Sequence, residues 1–265
     1  MSLMAKKLTL AVVGVLAVVF WYFAKAWVYN PYRLSETGLW LRPLILMLFL
    51  ISVTAVALIL LKSRKWQLAV AALVTLPAFI FFGLHWLMLT GFAISVLLYW
   101  HAIKVVDIES RERIKVNIGR TIHRALRSII FPILIIVSFA YYLTPAVQQS
   151  AKKQEVSATF TKVVYKTIDT FFASELKNLP AGQRQQVKSQ VAGQVTGMIQ
   201  SLIRPYARFM PPLLAFGLFL LLESLSFVFI WIGTFLADII FWALKRAKLV
   251  VISSKQVEIE VLETF

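Results

Sequence analysis

Apolar residues in this chain gather into long blocks, and polar residues mark where the blocks stop. The first block runs from Leu8 to about Val28, behind the basic start MAKK. The second runs from Leu44 to Leu61, opened by Pro43, which the first turn of a helix tolerates, and closed by KSRK. From Trp66 to Ile103 lie 38 residues without a formal charge. A helix crosses a bilayer in roughly 20 residues, so this stretch must fold back on itself. Gly83 to Trp86 is the best place for the turn, since it offers a glycine, the polar His85 and an interfacial tryptophan. A fifth block covers Ile129 to Leu143 with Pro132 near its start, and a sixth lies within Pro211 to Leu244. The pattern predicts an all-α polytopic membrane protein with about six transmembrane helices.

Two other periodicities interrupt the blocks. Between Ala146 and Arg208, Val156, Phe160, Val163, Val164, Ile168, Phe171, Phe172, Leu176 and Leu179 recur at spacings of three and four, and Val187, Val191, Val195, Met198 and Leu202 form a second stripe. LPAGQ separates the stripes, so the segment reads as an extracytoplasmic helical hairpin whose apolar faces pack together or receive a protein partner. Period two appears instead in RIKVNI, with Ile114, Val116 and Ile118 on one face, and in VEIEV, with Val257, Ile259 and Val261 on one face. Arg113 and Lys115 would oppose Glu258 and Glu260, which predicts a small cytoplasmic β element. The domain reading is then spans one to five over 1–145 with a basic cytoplasmic loop at 104–128, the hairpin at 146–208, span six with an inner interfacial helix at 209–246, and a β-patterned tail at 247–265.

Composition agrees with the blocks: 60% of residues are hydrophobic and 15% charged. The net charge of +16 would suggest nucleic acid in a soluble chain, but here the basic residues flank apolar runs and act as topology signals and lipid contacts. With the amino terminus inside, the inner segments hold Lys6, Lys7, Lys62, Arg64, Lys65, the seven basic residues from Lys104 to Arg127, and Lys245, Arg246, Lys248 and Lys255, whereas the short outer loops hold Lys25, Arg33 and Arg42. The positive-inside rule therefore puts both termini in the cytoplasm of a plasma or inner membrane. Lys6, Lys7 and the A-x-A of Ala24 to Ala26 resemble a signal peptide, but the apolar run is long for one, and bulky Trp21, Tyr22 and Phe23 crowd the cleavage region. The absence of cysteine excludes disulfides, thiolate metal sites and cysteine nucleophiles.

Candidate chemistry is sparse. The chain contains no G-x-S-x-G, H-E-x-x-H or Walker-type loop, so it carries no common catalytic motif and no cofactor signature. His85, His101 and His123 fall in three separate segments, which argues against a shared metal site and favours polar caps or lipid contacts. Arg120, Arg124 and Arg127 recur at helical spacing in GRTIHRALRS and, with Lys245 and Arg246, read as contacts to anionic headgroups of the inner face. Nothing in the pattern supports a nucleic-acid fold.

Two acidic residues stand inside the sixth block, Glu223 and Asp238. Pro211 to Leu244 would be about 50 Å long as one helix, against a hydrocarbon core of about 30 Å. A break at Gly233 and Thr234 would solve this, leaving Glu223 near the midplane and Asp238 on an interfacial helix. Glu223 should then be protonated, face other helices or line water, with Ser52, Thr54, Thr75, Ser95 and Ser138 as candidate hydroxyl neighbours. Two functions follow: a non-enzymatic scaffold or assembly component of a membrane complex, open to oligomerisation, or a small proton- or cation-linked transporter or channel using Glu223.

Overall fold

The computed structural model describes residues 3–30, 36–111, 118–153, 180, 189–195, 197–198, 201 and 208–250. Among these residues the regular structure is helical throughout: α1 (Leu3–Tyr29), α2 (Thr37–Leu60), α3 (Arg64–Thr75), α4 (Pro77–Phe82), α5 (Trp86–Arg111), α6 (Ile118–Tyr142), α7 (Pro145–Lys153) and α8 (Met210–Arg246). Counting α3 and α4 as one, six helices are long and apolar enough to cross a membrane, the mark of a multi-pass membrane protein. α3 and α4 form a single crossing bent at Pro77, whose missing N–H interrupts the ladder. The expected reversal falls at Gly83, with φ +83°, a conformation that only a residue without Cβ adopts freely, and α5 restarts at Trp86.

α2 and α6 are the central helices. In their most apolar stretches 61% and 67% of the residues are buried, against 17% in α1 and 22% in α8. α6 packs between α5 and α8, α2 packs against α1 and α8, and α1 also lies along α3. The outer helices turn Leu8, Val15, Phe216, Phe227, Trp231 and Phe235 away from the core, as surfaces bathed in lipid would.

Three helix ends depart from the pattern read along the sequence. α2 begins at Thr37, so Pro43 lies inside the helix and is buried. α6 begins at Ile118, because Ile122, Ala125, Leu126, Ile129, Ile130 and Ile133 carry one buried stripe straight through the basic stretch. Ile118, which alternation places in a strand, therefore opens a helix; the rest of that strand, the VEIEV segment and most of the 146–208 hairpin lie outside the described residues. α8 is continuous for 37 residues, about 55 Å, with no break at Gly233 and Thr234 and so no separate interfacial helix.

Gly233 is a packing point and not a hinge. A Cβ placed there would stand 3.2 Å from Ile51 Cδ1 of α2 and 3.4 Å from Leu126 Cδ1 of α6. At the same level the Ser52 hydroxyl reaches across from α2 to the Gly233 carbonyl at 3.0 Å, while also 2.6 Å from Leu48 O in its own helix. Trp21 Nε1 donates to Val74 O at 2.7 Å, tying α1 to α3, and Gln67 Nε2 donates to Leu58 O at 2.8 Å, closing the turn between α2 and α3. Replacing Gly233 by Leu should destabilise the detergent-solubilised protein by about 1–3 kcal/mol, the usual cost of overpacking, whereas Gly217→Leu, which meets nothing within 4 Å, should leave the melting temperature unchanged. Equal melting temperatures for the two variants would contradict the junction.

Candidate functional site

Polar side chains of α5 and α6 converge at one end of the bundle. On α5, His101, Val105 and Ile108 are spaced by four and three residues and so share a face. On α6, the stripe from Ile122 to Ile133 is taken up by the core, which leaves His123, Arg124, Arg127 and Ser128 on the flank toward α5 and α8. With Ile230 of α8 these residues enclose an open cavity of about 390 Å³, within the range of about 300–1,000 Å³ typical of small-ligand sites. Among the described residues, none that lines it is acidic.

Local hydrogen bonding gives the cavity its shape. Thr234 donates to Ile230 O at 2.7 Å, and its oxygen stands 3.4 Å from His123 Nδ1, so it can accept from the imidazole and hold α6 to α8. Pro132 has no N–H, so the carbonyl of Ser128, four residues earlier, loses its intrahelical donor at the cavity wall. Arg124 and Arg127 each bring five N–H donors in a planar fork, the geometry that grips phosphate or carboxylate oxygens. Nearby, Arg64 pairs with Asp107 at 3.8 Å and lies 5.7 Å from the Trp100 ring centroid, and Lys104 lies 6.0 Å from the same centroid. That ion pair is too exposed to contribute much stability.

The sequence reading separates His101 from His123; the fold brings both to one cavity, because α5 and α6 run side by side. The one available signal was that His101 and Arg124 sit at matching ends of two consecutive crossings. His85 lies at the opposite end and accepts from the Leu87 N–H with Nδ1 at 3.3 Å, a cap at the start of α5. Of the expected lipid contacts, Arg124 and Arg127 line the cavity, whereas Arg120, Lys245 and Arg246 do not. Arg246 instead covers the Trp242 ring at 5.4 Å. Among the described residues no group of three or more histidine and acidic side chains could hold a metal ion.

Glu223 is half-buried on α8, on the face it shares with Phe219, four residues before it, and buried Ser226, three after it. Phe219 meets Phe131 of α6 with ring centroids 6.0 Å apart, so the carboxyl lies beside an aromatic contact. Its Oε2 is enclosed and has no hydrogen-bond partner. The hydroxyls expected as neighbours are engaged elsewhere: Thr75 with Ala71 O, Ser95 with Gly91 O, Ser138 with Leu134 O, and Ser52 as described. Thr54 Oγ1 is itself buried without a partner. Asp238 is exposed on α8 beside the buried Ala237. Neither acid lines the basic cavity.

No protein-family model, curated protein or solved structure matches this chain. The class is thus the one the helices define, a multi-pass helical membrane protein, and its function has to be argued from the site.

An enclosed carboxyl oxygen without a partner costs stability, so Glu223→Leu should raise the melting temperature in detergent, by an effect of about 1 kcal/mol. Glu223→Gln should leave it unchanged. A fall in the leucine variant would contradict the unpartnered surroundings of Oε2.

Proposed function

We propose that the protein is a non-enzymatic scaffold or assembly component of a membrane complex, anchored by anionic headgroups that enter the basic cavity. The observation that carries this reading is the convergence of His101, His123, Arg124 and Arg127 on one open pocket that Val105, Ile108 and Ile230 also line. Charged donors set among apolar side chains suit a phosphate carried on an acyl-chain stem. The end that holds the pocket also holds Lys6, Lys7, Lys62, Arg64, Lys65, Lys104, Lys245 and Arg246, so the positive-inside rule assigns it to the cytoplasmic leaflet, with both termini on that side. In this reading 146–208 projects from the other side and offers an amphipathic surface to a protein partner.

A second reading, a small proton- or cation-linked transporter working through Glu223, draws on the unpartnered Oε2 inside a spanning helix. Flux separates the two. Vesicles of purified full-length protein, loaded with a pH-sensitive dye and given a proton or potassium gradient, should leak no faster than protein-free vesicles. A flux that vanishes in Glu223→Gln would overturn the scaffold reading in favour of transport. Orientation has its own check. In intact cells Ser63→Cys should be shielded from an impermeant thiol reagent and Ser189→Cys should react, and the reverse pattern would invert the topology.

A further inference from the structure

At the opposite end of the bundle, the last turns of α1, the first turns of α2 and the end of α4 enclose a second cavity, of about 780 Å³. Its walls are aromatic, from Tyr22, Phe23 and Tyr29 of α1 and Phe81 of α4, with Tyr22 and Phe81 rings 6.2 Å apart. Its charged groups among the described residues are Lys25, Arg42 and Glu36. Both cations are held over rings: Lys25 Nζ stands 5.9 Å from the Tyr29 centroid, and the Arg42 guanidinium 5.9 Å from that of Phe23. Among the described residues two cations face one carboxylate, an excess of positive charge that suits an anion.

We propose that this cavity binds the headgroup of an anionic phospholipid, with the phosphodiester between Lys25 and Arg42 and the acyl chains running down the bundle. The surfaces leading away from it are those a lipid would follow. On α1, Val15, Val18, Tyr22, Lys25 and Tyr29 recur every three or four residues and are all exposed, a stripe that passes from hydrocarbon to cation toward the cavity. On α2, Arg42, Ile45 and Phe49 make the same passage in the other chain direction. A soluble anion would use the cations and leave both stripes unused. Pro43 adds an acceptor for a headgroup hydroxyl, because the carbonyl of Leu39, which lines the cavity, has no intrahelical donor opposite it.

The chain has no native cysteine, so Leu39→Cys can carry a single environment-sensitive fluorophore at the cavity wall. The labelled full-length protein in dodecyl maltoside is titrated with phosphatidylglycerol, with phosphatidylcholine and with inorganic phosphate. Phosphatidylglycerol should shift the emission saturably, and the other two should not. Adding Lys25→Gln and Arg42→Gln, both at exposed positions, should raise the half-maximal phosphatidylglycerol concentration about 25-fold, from about fivefold for each basic residue near an anionic surface. Circular dichroism verifies that this variant stays folded. Adding Arg124→Gln and Arg127→Gln instead should leave the response intact, which separates this cavity from the basic one at the other end. An equal response to phosphatidylcholine overturns the charge selection, an equal response to inorganic phosphate overturns the lipid, and a response unmoved by Lys25→Gln with Arg42→Gln overturns the site.

Discussion

Three helices can meet at one level of this bundle because position 233 carries no side chain. With a Cβ site only 3.2 Å from Ile51 Cδ1 and 3.4 Å from Leu126 Cδ1, even a methyl group would push both side-chain ends aside, and a large residue would overpack the contact. The Ser52 hydroxyl on the Gly233 carbonyl then fixes rotation as well as distance. Such a bond in a membrane contributes only about 0.6 kcal/mol on average, so the junction is held mainly by close packing and pointed by the hydrogen bond. Because α8 is anchored here, Thr234 falls beside His123 and Ile230 joins the lining of the basic cavity as its third wall.

Polar groups in the rest of the bundle follow one rule. With no water available in hydrocarbon, a hydroxyl or an indole N–H must find an acceptor within the protein, and the nearest is a backbone carbonyl. Thr75, Ser95 and Ser138 turn back on their own helices, and Trp21 and Gln67 reach a neighbouring one. Among the described residues Glu223 Oε2, Thr54 Oγ1, Gln67 Oε1 and the Tyr99 hydroxyl depart from the rule. The two cavities share a different device: at each, a proline one turn along removes the donor from a wall residue's carbonyl, Pro132 for Ser128 and Pro43 for Leu39. Open polar sites therefore occur where a helix ladder is interrupted near the end of a crossing.

How much of this the sequence discloses depends on whether local or tertiary forces decide it. Block length against bilayer thickness is local information, and it yields the six apolar helices and the reversal at Gly83. The start of α6 is a tertiary matter: the basic residues of GRTIHRALRS look like the end of a membrane block, yet Ile122 and Leu126 on their buried side find a core to pack against. Gly233 and Thr234 resemble a break and a cap when read alone, and only the approach of Ile51 and Leu126 gives the glycine its role. The pairing of His101 with His123 was hidden for the same reason, since it depends on the lateral packing of α5 on α6. Arg124 and Arg127 were legible because helical spacing alone places them on one flank.

The register of α8 against α6 is the claim on which the junction and the basic cavity both stand. His123 Nδ1 and Thr234 Oγ1 are 3.4 Å apart, so cysteines at these two positions should close a disulfide when membranes are oxidised with copper phenanthroline, measured as loss of free thiols. A cysteine at Ser226, about 12 Å further along the helix axis, should leave the His123→Cys thiol free under the same conditions. The account predicts crosslinking of the first pair alone. Crosslinking through Ser226→Cys with none through Thr234→Cys would shift α8 by two turns and dismantle both sites.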